Sequence, residues 1–383
     1  MLFCSADKMT KSIFREKGGY MKACIPFLEA EGTSYQIGLT IGTEAAVQVH
    51  NCIRSYRDQF AAVAGLAWDE AKQLAQQYRA VIARYNPDYI DEIQGIADGA
   101  GVTFDDILLL NCRSEVVLRG FADAIPDGCT AMAATPSKTD GRSTLIGQNW
   151  DWKMSQRESM ILVKIRQTAS GRPDLLLLTE AGIIGKYGMN SAGLGFCFNA
   201  LATDDFPEGA LPLHIACRGA MDSRNLTEAI SKVGGQQLGC AVNFLFASRD
   251  GIAVDVEVSN DDFDVLYPQD GILVHANHFR SLRLPRYPFR DTAKKKWPDT
   301  FIRCGRAEEL IRSVKGGVTV RDFMRVFADH ADYPASICHH EDPAAPAYAR
   351  VGTVMSFVMD LERMEMHLCM GAPCEQPFER YVF

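Results

Sequence analysis

Near residue 128 the spacing of apolar residues changes from one rhythm to another, and few folds accommodate that change. Before it, "TEAAVQVHNCIRSYRDQFAAVAG" (43–65) and "DEAKQLAQQYRAVIARY" (69–85) repeat apolar residues every three or four positions, the period of an amphipathic helix. Asn86-Pro87-Asp88 breaks that pattern. "YIDEIQGIADGAG" then ends on glycine, and Thr103 is placed to cap the helix of "TFDDILLLNCRSEVVLRG". After residue 128 the runs become short and strand-like: "CTAMAAT", "STLIGQNWDW", "SMILVKIRQ" and "DLLLLTEAG", separated by the turn clusters "PSKTDGR" and "ASGRP".

The same alternation continues to the C-terminus. "YGMNSAGLGFCFNAL" reads as a hairpin turning at Asn190–Gly193. Helical segments follow in "LPLHIACRGAM" and "NLTEAISKVGG", strands in "CAVNFLFASRDGIAVDVEVS" and "GILVHANHF". Helices return in "CGRAEELIRSV" and "TVRDFMRVFADHA", and "GTVMSFVMDLERMEMHLCMG" closes as a hairpin. Hairpins between strands and helices in pairs argue against one purely parallel sheet and for mixed sheets covered by helices.

Charge and cysteine usage exclude several function classes. The net charge of −8 offers no electrostatic case for nucleic acid. The basic run Lys294–Lys296 reads as a solvated loop. No apolar stretch approaches the roughly 20 residues of a membrane span, and residues 1–21 read as a flexible extension ahead of Met21 without the apolar centre of a secretory signal. Twelve cysteines run from Cys4 to Cys374 without a CxxC pair, a scatter that fits a reducing, cytoplasmic compartment and buried thiols. His275 and His278 form an HxxH in an apparent strand, which puts their rings on opposite faces. Together with "CHHED" (338–342) they read as loop or structural histidines, so no metal is expected.

Against that background Cys129 has an unusual context. Gly128 brings no side chain before it, so a nucleophile has access to the Gly128 carbonyl. Asp151 stands in the apolar run "IGQNWDW", where a carboxylate is costly unless hydrogen-bonded or functional. Asn277 in "VHANHF" and Asn199 in "GFCFNAL" are strand amides suited to stabilising an oxyanion.

These motifs resemble the acyl-coenzyme A:6-aminopenicillanic acid acyltransferase family of autoproteolytic N-terminal nucleophile enzymes. The resemblance is carried in order by "DGCT" (127–130), "GQNWDW" (147–152), "TEAGIIGKYGMNSAGLGFCFNAL" (179–201), "VHANHF" (274–279) and "DYPASIC" (332–338). It implies an α+β fold, a four-layer α/β/β/α sandwich. Self-cleavage between Gly128 and Cys129 would separate a helical chain, 22–128, from a catalytic chain, 129–383, with the two remaining associated. Cys129 matches the nucleophile, Asp151 the aspartate that orients it, and Asn277 the oxyanion asparagine. Asn199 resembles an asparagine of the oxyanion region in the wider bile-acid and penicillin amidase group. His339, the candidate for substrate binding, stands where the fungal acyltransferase carries an arginine after "SIC", and replaces a fixed cation with a group that titrates near neutral pH, which departs from the fungal use of that position and, with it, from the fungal substrate.

The implied activity is cleavage or transfer of an acyl group from a small-molecule amide or acyl-CoA through an acyl-thioenzyme, with no cofactor. Two readings stand beside it. One is an acyl-CoA-dependent N-acyltransferase acting on a β-lactam-like amine. The other is a non-catalytic binding protein on the same fold.

Overall fold

The computed structural model describes residues 25–121, 128–204, 206–259, 262–346 and 350–383, with side chains through 117 in the first span. The N-terminal extension read from the sequence, 1–21, and Asp127 lie outside these residues. Strand β1 (Phe27–Glu31) leads into the helices α1 (Ser34–Glu44), α2 (Ala46–Gln59), α3 (Trp68–Tyr85), α4 (Pro87–Ala100), α5 (Phe104–Asn111) and α6 (Arg113–Phe121). The strands β2 (Gly128–Ala134), β3 (Leu145–Trp152), β4 (Met160–Arg166), β5 (Leu175–Glu180), β6 (Tyr187–Asn190) and β7 (Leu194–Ala200) follow. Then come α7 (Leu213–Met221), α8 (Leu226–Gly234), β8 (Val242–Ser248), β9 (Ala253–Ser259), β10 (Asp262–Leu266) and β11 (Ile272–His275). The chain closes with α9 (Ala293–Lys296), α10 (Asp299–Arg312), α11 (Val320–Phe327), β12 (Gly352–Asp360), β13 (Glu365–Met370) and β14 (Glu379–Val382).

The strands form two sheets, ordered β1-β4-β5-β6-β7-β8-β9-β10 and β11-β2-β3-β12-β13-β14. They lie face to face, with β2 and β3 against β7 and β2 against β8. Helices α2, α7 and α8 cover the larger sheet, and α10 and α11 cover the smaller one. This is the helix–sheet–sheet–helix order that the resemblance implied. Because both faces of the central strands are covered, β2, β3, β8, β9 and β12 are buried along their whole length. The polar residues these strands carry, such as Asn149 and Asp151 on β3 or Asp255 and Glu257 on β9, are therefore buried as fully as their apolar neighbours.

Local signals account for the helix starts. Thr103 caps α5, its hydroxyl accepting from the Asp106 N–H at 3.2 Å. Asn86 caps α4, with Pro87 at the first helical position, where its missing N–H costs nothing. The described residues contain no helix long and apolar enough to cross a membrane.

Three details depart from the sequence reading. The region before residue 128 is not wholly helical: β1 pairs in parallel with β4, and its five residues, two of them acidic, are too short a run to announce a strand. The closing hairpin gains a third strand, β14, antiparallel to β13. Lys294–Lys296 occupy a one-turn helix, α9, with Lys294 and Lys295 exposed.

The closest helix contact joins α1 and α4 through two glycine pairs. A methyl group added at Gly38 or Gly42 would meet a backbone oxygen of Glu92 or Ile96 at 2.1 or 2.3 Å. At Gly95 or Gly99 it would meet the oxygen of Tyr35 or Leu39 at 2.2 or 2.4 Å. Only bare α-carbons allow the two backbones to touch. Gly95→Ala should therefore destabilise the protein by about 1–3 kcal/mol, the usual cost of overpacking. Gly305→Ala is the control, because that exposed helical position has open space around it and alanine there should stabilise by roughly 0.5–1 kcal/mol. Thermal melts in which both variants shift in the same direction would contradict this account.

Candidate active site

Strand β2 begins at Gly128 and lies between β11 and β3, but β11 is short. Its pairing with β2 spans Ala131–Ala134 only and stops at His275. Among the described residues no strand pairs with the edge of β2 beside Cys129, and side chains take over the ladder. Asn277 Oδ1 accepts the Cys129 backbone N–H at 2.9 Å. Arg303 Nη1, from α10, donates to the Cys129 carbonyl at 2.6 Å and to Thr130 Oγ1 at 3.1 Å. Arg303 Nη2 also donates to Asn277 Oδ1 at 3.0 Å. The nucleophile candidate is therefore clamped by its own backbone.

The register with β3 distributes the remaining groups. Cys129 pairs opposite Trp150, and Gly128 opposite Asp151. Side chains alternate between faces along a strand, so Cys129, Trp150 and Trp152 share one face and line a cavity between the sheets and α2. Its wall is rich in aromatic residues, among them Tyr56, Phe60, Tyr187, Phe198 and Trp297. Asp151 points to the opposite face. A methyl group at Gly128 would sit 3.0 Å from both Asp151 Cβ and Oδ2, so the missing side chain lets the carboxylate press against the linkage before Cys129. Thr353, opposite Asp151 on β12, donates to Asp151 Oδ1 at 2.7 Å and accepts the His339 backbone N–H at 2.9 Å.

Four of the sequence candidates, Gly128, Cys129, Asp151 and Asn277, are thus brought together, and His339 adjoins them through Thr353. Asn199 is placed differently. It lies opposite Asn243 on β8 and accepts from Asn243 Nδ2 at 3.4 Å, while Asn243 also donates to Asp255 at 2.7 Å. Its neighbour Ala200 is the one tied to the site, through a hydrogen bond from Asn277 Nδ2 to the Ala200 oxygen at 3.0 Å.

Electrostatics corrects one expectation. His339 does not titrate near neutral pH: burial, followed by the Arg303 charge, pushes it down to about 4. A neutral imidazole therefore stands at that position. The cation in contact with the Cys129 backbone is Arg303, for which burial is outweighed by Asp299 and Asp151, so that its pKa is held above the ordinary value. Asp299 accepts from Arg303 Nε at 2.8 Å, one helical turn away. In the sequence that spacing looks like an ordinary surface ion pair, and nothing local distinguishes Arg303. Thr353 carried no signal at all.

The HxxH pair also differs from expectation. Because β11 ends at His275, the chain has turned before His278, and the two rings stack with centroids 6.3 Å apart. His275 is held by Glu257 at 2.7 Å. His278 Nδ1 lies 3.0 Å from Thr300 Oγ1, which accepts the Asn277 backbone N–H at 2.6 Å. The Thr300 hydroxyl thus bridges the His278 ring and the Asn277 backbone, and the tautomer of a neutral His278 with Nδ1 unprotonated accepts its hydrogen.

A family model described as acyl-coenzyme A:6-aminopenicillanic acid acyl-transferase matches residues 137–375. The chain is 30% identical over 354 residues to the acyl-coenzyme A:6-aminopenicillanic-acid-acyltransferase 40 kDa form of Emericella nidulans, covering 92% of this chain and 94% of that one. It is 21% identical over 252 residues to a β-alanyl-dopamine/carcinine hydrolase of Drosophila melanogaster, covering 59% and 62%. A solved structure of a mutant conjugated bile acid hydrolase from Clostridium perfringens aligns with a TM-score of 0.42 at 12% identity, over 67% of this chain and 97% of that one.

The Thr300 brace predicts acid sensitivity. Burial, then the charges of His275, Arg280 and Arg303, push His278 down to about 4, with Glu257 opposing. Its ordinary value is near ~6.5. Above that pH neither folded nor unfolded chain holds the proton. Between about 6.5 and 4 the unfolded chain takes it and the folded chain does not, so stability falls as pH falls. The melting temperature of the wild type relative to His278→Asn, which keeps an acceptor but cannot titrate, should drop across that window and stay level above pH 7. A difference that is flat from pH 7 to 4 would rule this out.

Proposed function

Because the chain belongs to the acyl-coenzyme A:6-aminopenicillanic acid acyltransferase family, we propose that it cleaves itself between Gly128 and Cys129 and then moves an acyl group through a thioester on Cys129. The observation that carries this reading is the grip on Cys129. Its nitrogen is fixed on Asn277 Oδ1, its carbonyl on Arg303, its side chain on the cavity wall, and the Asp151 carboxylate lies against Gly128.

In the first reaction Cys129 Sγ attacks the Gly128 carbonyl carbon. The C–N bond breaks, nitrogen takes up a proton, and the Gly128 acyl group rests on sulfur. Water then releases Gly128 as a carboxylate and frees the thiol. Cys129 is left with an α-amine, whose ordinary pKa of about 7.7–8.0 suits a base near neutrality. Asn277 Oδ1 already accepts a hydrogen bond from that nitrogen before cleavage, so the amine is born oriented. The buried Arg303 charge favours the neutral amine and the thiolate over their protonated forms.

In the second reaction the amine takes the thiol proton and sulfur attacks the substrate carbonyl. Asn277 Nδ2 has a second hydrogen besides the one given to Ala200, available to an oxyanion. The leaving amine or thiol departs protonated, and water or an amine accepts the acyl group. One relative is named for acyl transfer and another for hydrolysis, and a thioester on Cys129 serves either outcome. The aromatic wall suits an acyl group that is largely apolar.

Support for a docked helical chain after cleavage comes from buried contacts that cross the junction. Arg218 Nη1 meets Glu92 at 2.6 Å, Arg113 meets Glu180 at 3.1 Å, and Glu115 accepts from the Leu213 N–H at 2.8 Å. Asn111 Nδ2 also donates to the Gly182 oxygen at 2.8 Å.

Intact-mass analysis of purified protein should show a fragment starting Cys-Thr-Ala-Met, co-eluting on gel filtration with the helical chain. Cys129→Ala should remain one folded chain, and Asp151→Asn should mature slowly or turn over poorly with only a modest change in melting temperature. A wild type that stays intact while hydrolysing amides at full rate would sink the self-cleavage account.

Asn277→Ala, assayed on matured protein, should lower kcat by roughly a hundredfold or more with little change in KM, as expected for a group that acts on the transition state. A large loss of melting temperature with unchanged kcat would reduce Asn277 to a structural amide. Acyl-CoA and N-acyl amides tested with and without an acceptor amine separate transfer from hydrolysis.

A further inference from the structure

Away from the cavity, four side chains converge that the reaction does not use. His330 and the pair Cys338 and His340 lie on the loop after α11, and Cys374 lies on the turn between β13 and β14. One donor atom from each falls within 4.8 Å of all the others. His340 Nε2 is 3.1 Å from His330 Nε2, 3.5 Å from Cys338 Sγ and 3.4 Å from Cys374 Sγ, and the two sulfurs are 3.5 Å apart.

Hydrogen bonding does not explain this convergence. An imidazole nitrogen has either one lone pair or one hydrogen, yet three polar atoms crowd His340 Nε2. A disulfide does not explain it either: it needs the sulfurs about 2.05 Å apart and would leave both imidazoles without a reason to be there. A cation that accepts one lone pair from each donor accounts for all four. With metal–sulfur and metal–nitrogen bonds of about 2.3 and 2.0–2.1 Å, a tetrahedral zinc site has edges of about 3.8 Å between sulfurs, 3.5 Å between sulfur and nitrogen, and 3.3 Å between nitrogens. The three separations from His340 Nε2 and the one between the sulfurs lie within a few tenths of an ångström of those edges, and His330 Nε2 lies within 4.8 Å of both sulfurs.

We propose that His330, Cys338, His340 and Cys374 form a structural Cys2His2 zinc site. The donor set contains two sulfurs, two imidazole nitrogens and no oxygen, which selects zinc and excludes magnesium and calcium. Binding releases one proton from each thiol, and the two thiolates neutralise the divalent charge. The other ring nitrogen of His340 faces a Glu375 carboxylate oxygen 3.8 Å away. His330 and Cys374 are exposed while Cys338 is buried, so the site opens to solvent on one side and rests on the fold on the other.

With four protein ligands the site has no open position for substrate. Its role is to tie the loop bearing Cys338 and His340 to the β13–β14 turn. That loop carries His339, whose backbone N–H is bonded to Thr353 Oγ1, the donor to Asp151. The sequence motif "CHHED" does not announce such a site, because two of the four ligands lie outside it and only the fold brings them in.

The test uses tag-free full-length protein kept reduced. Elemental analysis after gel filtration should find one zinc per chain. Chelator-stripped protein titrated with Co2+ should develop thiolate charge-transfer and tetrahedral d–d absorption, lost again on adding Zn2+. Losing even an outer-shell partner costs about 10–100-fold in affinity, so Cys374→Ser should weaken zinc by at least about 100-fold. His330→Cys should keep the tetrahedral cobalt spectrum with a stronger thiolate band. Circular dichroism establishes that each variant is folded. A reduced wild type that takes up no stoichiometric zinc or tetrahedral cobalt would overturn the proposal, as would zinc affinity unchanged in folded Cys374→Ser. A Cys338–Cys374 disulfide that yields no metal site after reduction would overturn it too.

Discussion

Strand β11 stops at His275, three residues short of covering the start of β2, and the site is built on that shortfall. A strand in that place would have paired the Cys129 N–H and C=O in an ordinary ladder and walled off the groups around them. Instead Asn277 and Arg303 make those hydrogen bonds. Side-chain partners hold the backbone as firmly as a ladder would, but they also bring an amide and a permanent cation to the residue they hold. The two are coupled to each other through Asn277 Oδ1, and Asn277 reaches across to the other sheet at Ala200.

That grip needs a rigid setting, which the layers provide. Buried polar residues on β3 are each used for attachment. Asn149 Nδ2 donates to the carbonyls of Phe327 and Ile337 at 2.8 Å each, fastening the end of α11 and the following loop to the strand. On the helical side Glu180 is fully buried between Arg113 and Lys186, the latter at 2.7 Å. Burial alone would raise its pKa, but the two cations prevail and hold it at about 2. Lys186 also lies 3.5 Å from the centre of the Trp150 ring, the residue opposite Cys129. The ion cluster thus steadies one wall of the cavity. Breaking such a cluster by removing one partner strands an uncompensated buried charge, which is far more costly than losing a surface pair.

The four-ligand cluster and the candidate active site share one loop. Cys338 and His340 face the cluster, while the backbone of His339 between them meets Thr353 next to Asp151. Anything that orders the cluster orders the approach to the carboxylate. The neutral state of His339 fits this role: its contribution is made by its backbone and its packing, beside a charge that Arg303 already supplies.

Local chemistry was legible in the sequence. The change of period at residue 128 foretold helices before strands, because burial on one face of a helix and on both faces of a strand leaves different spacings. Gly128-Cys129 and the buried Asp151 stood out because a missing side chain and a charge in an apolar run are departures visible within a few residues. What only the tertiary structure decided involves residues distant in the chain. Arg303 reaches Cys129 across 174 positions, and Thr353 reaches Asp151 across 202. Each looks like ordinary surface polarity until a helix or strand is laid beside its partner. The same holds for His330 and Cys374, and for the approach of α1 to α4. The pKa of His339 belongs to this second group, since a sequence carries the ordinary value of a side chain and only packing determines the burial and the neighbouring charge that move it.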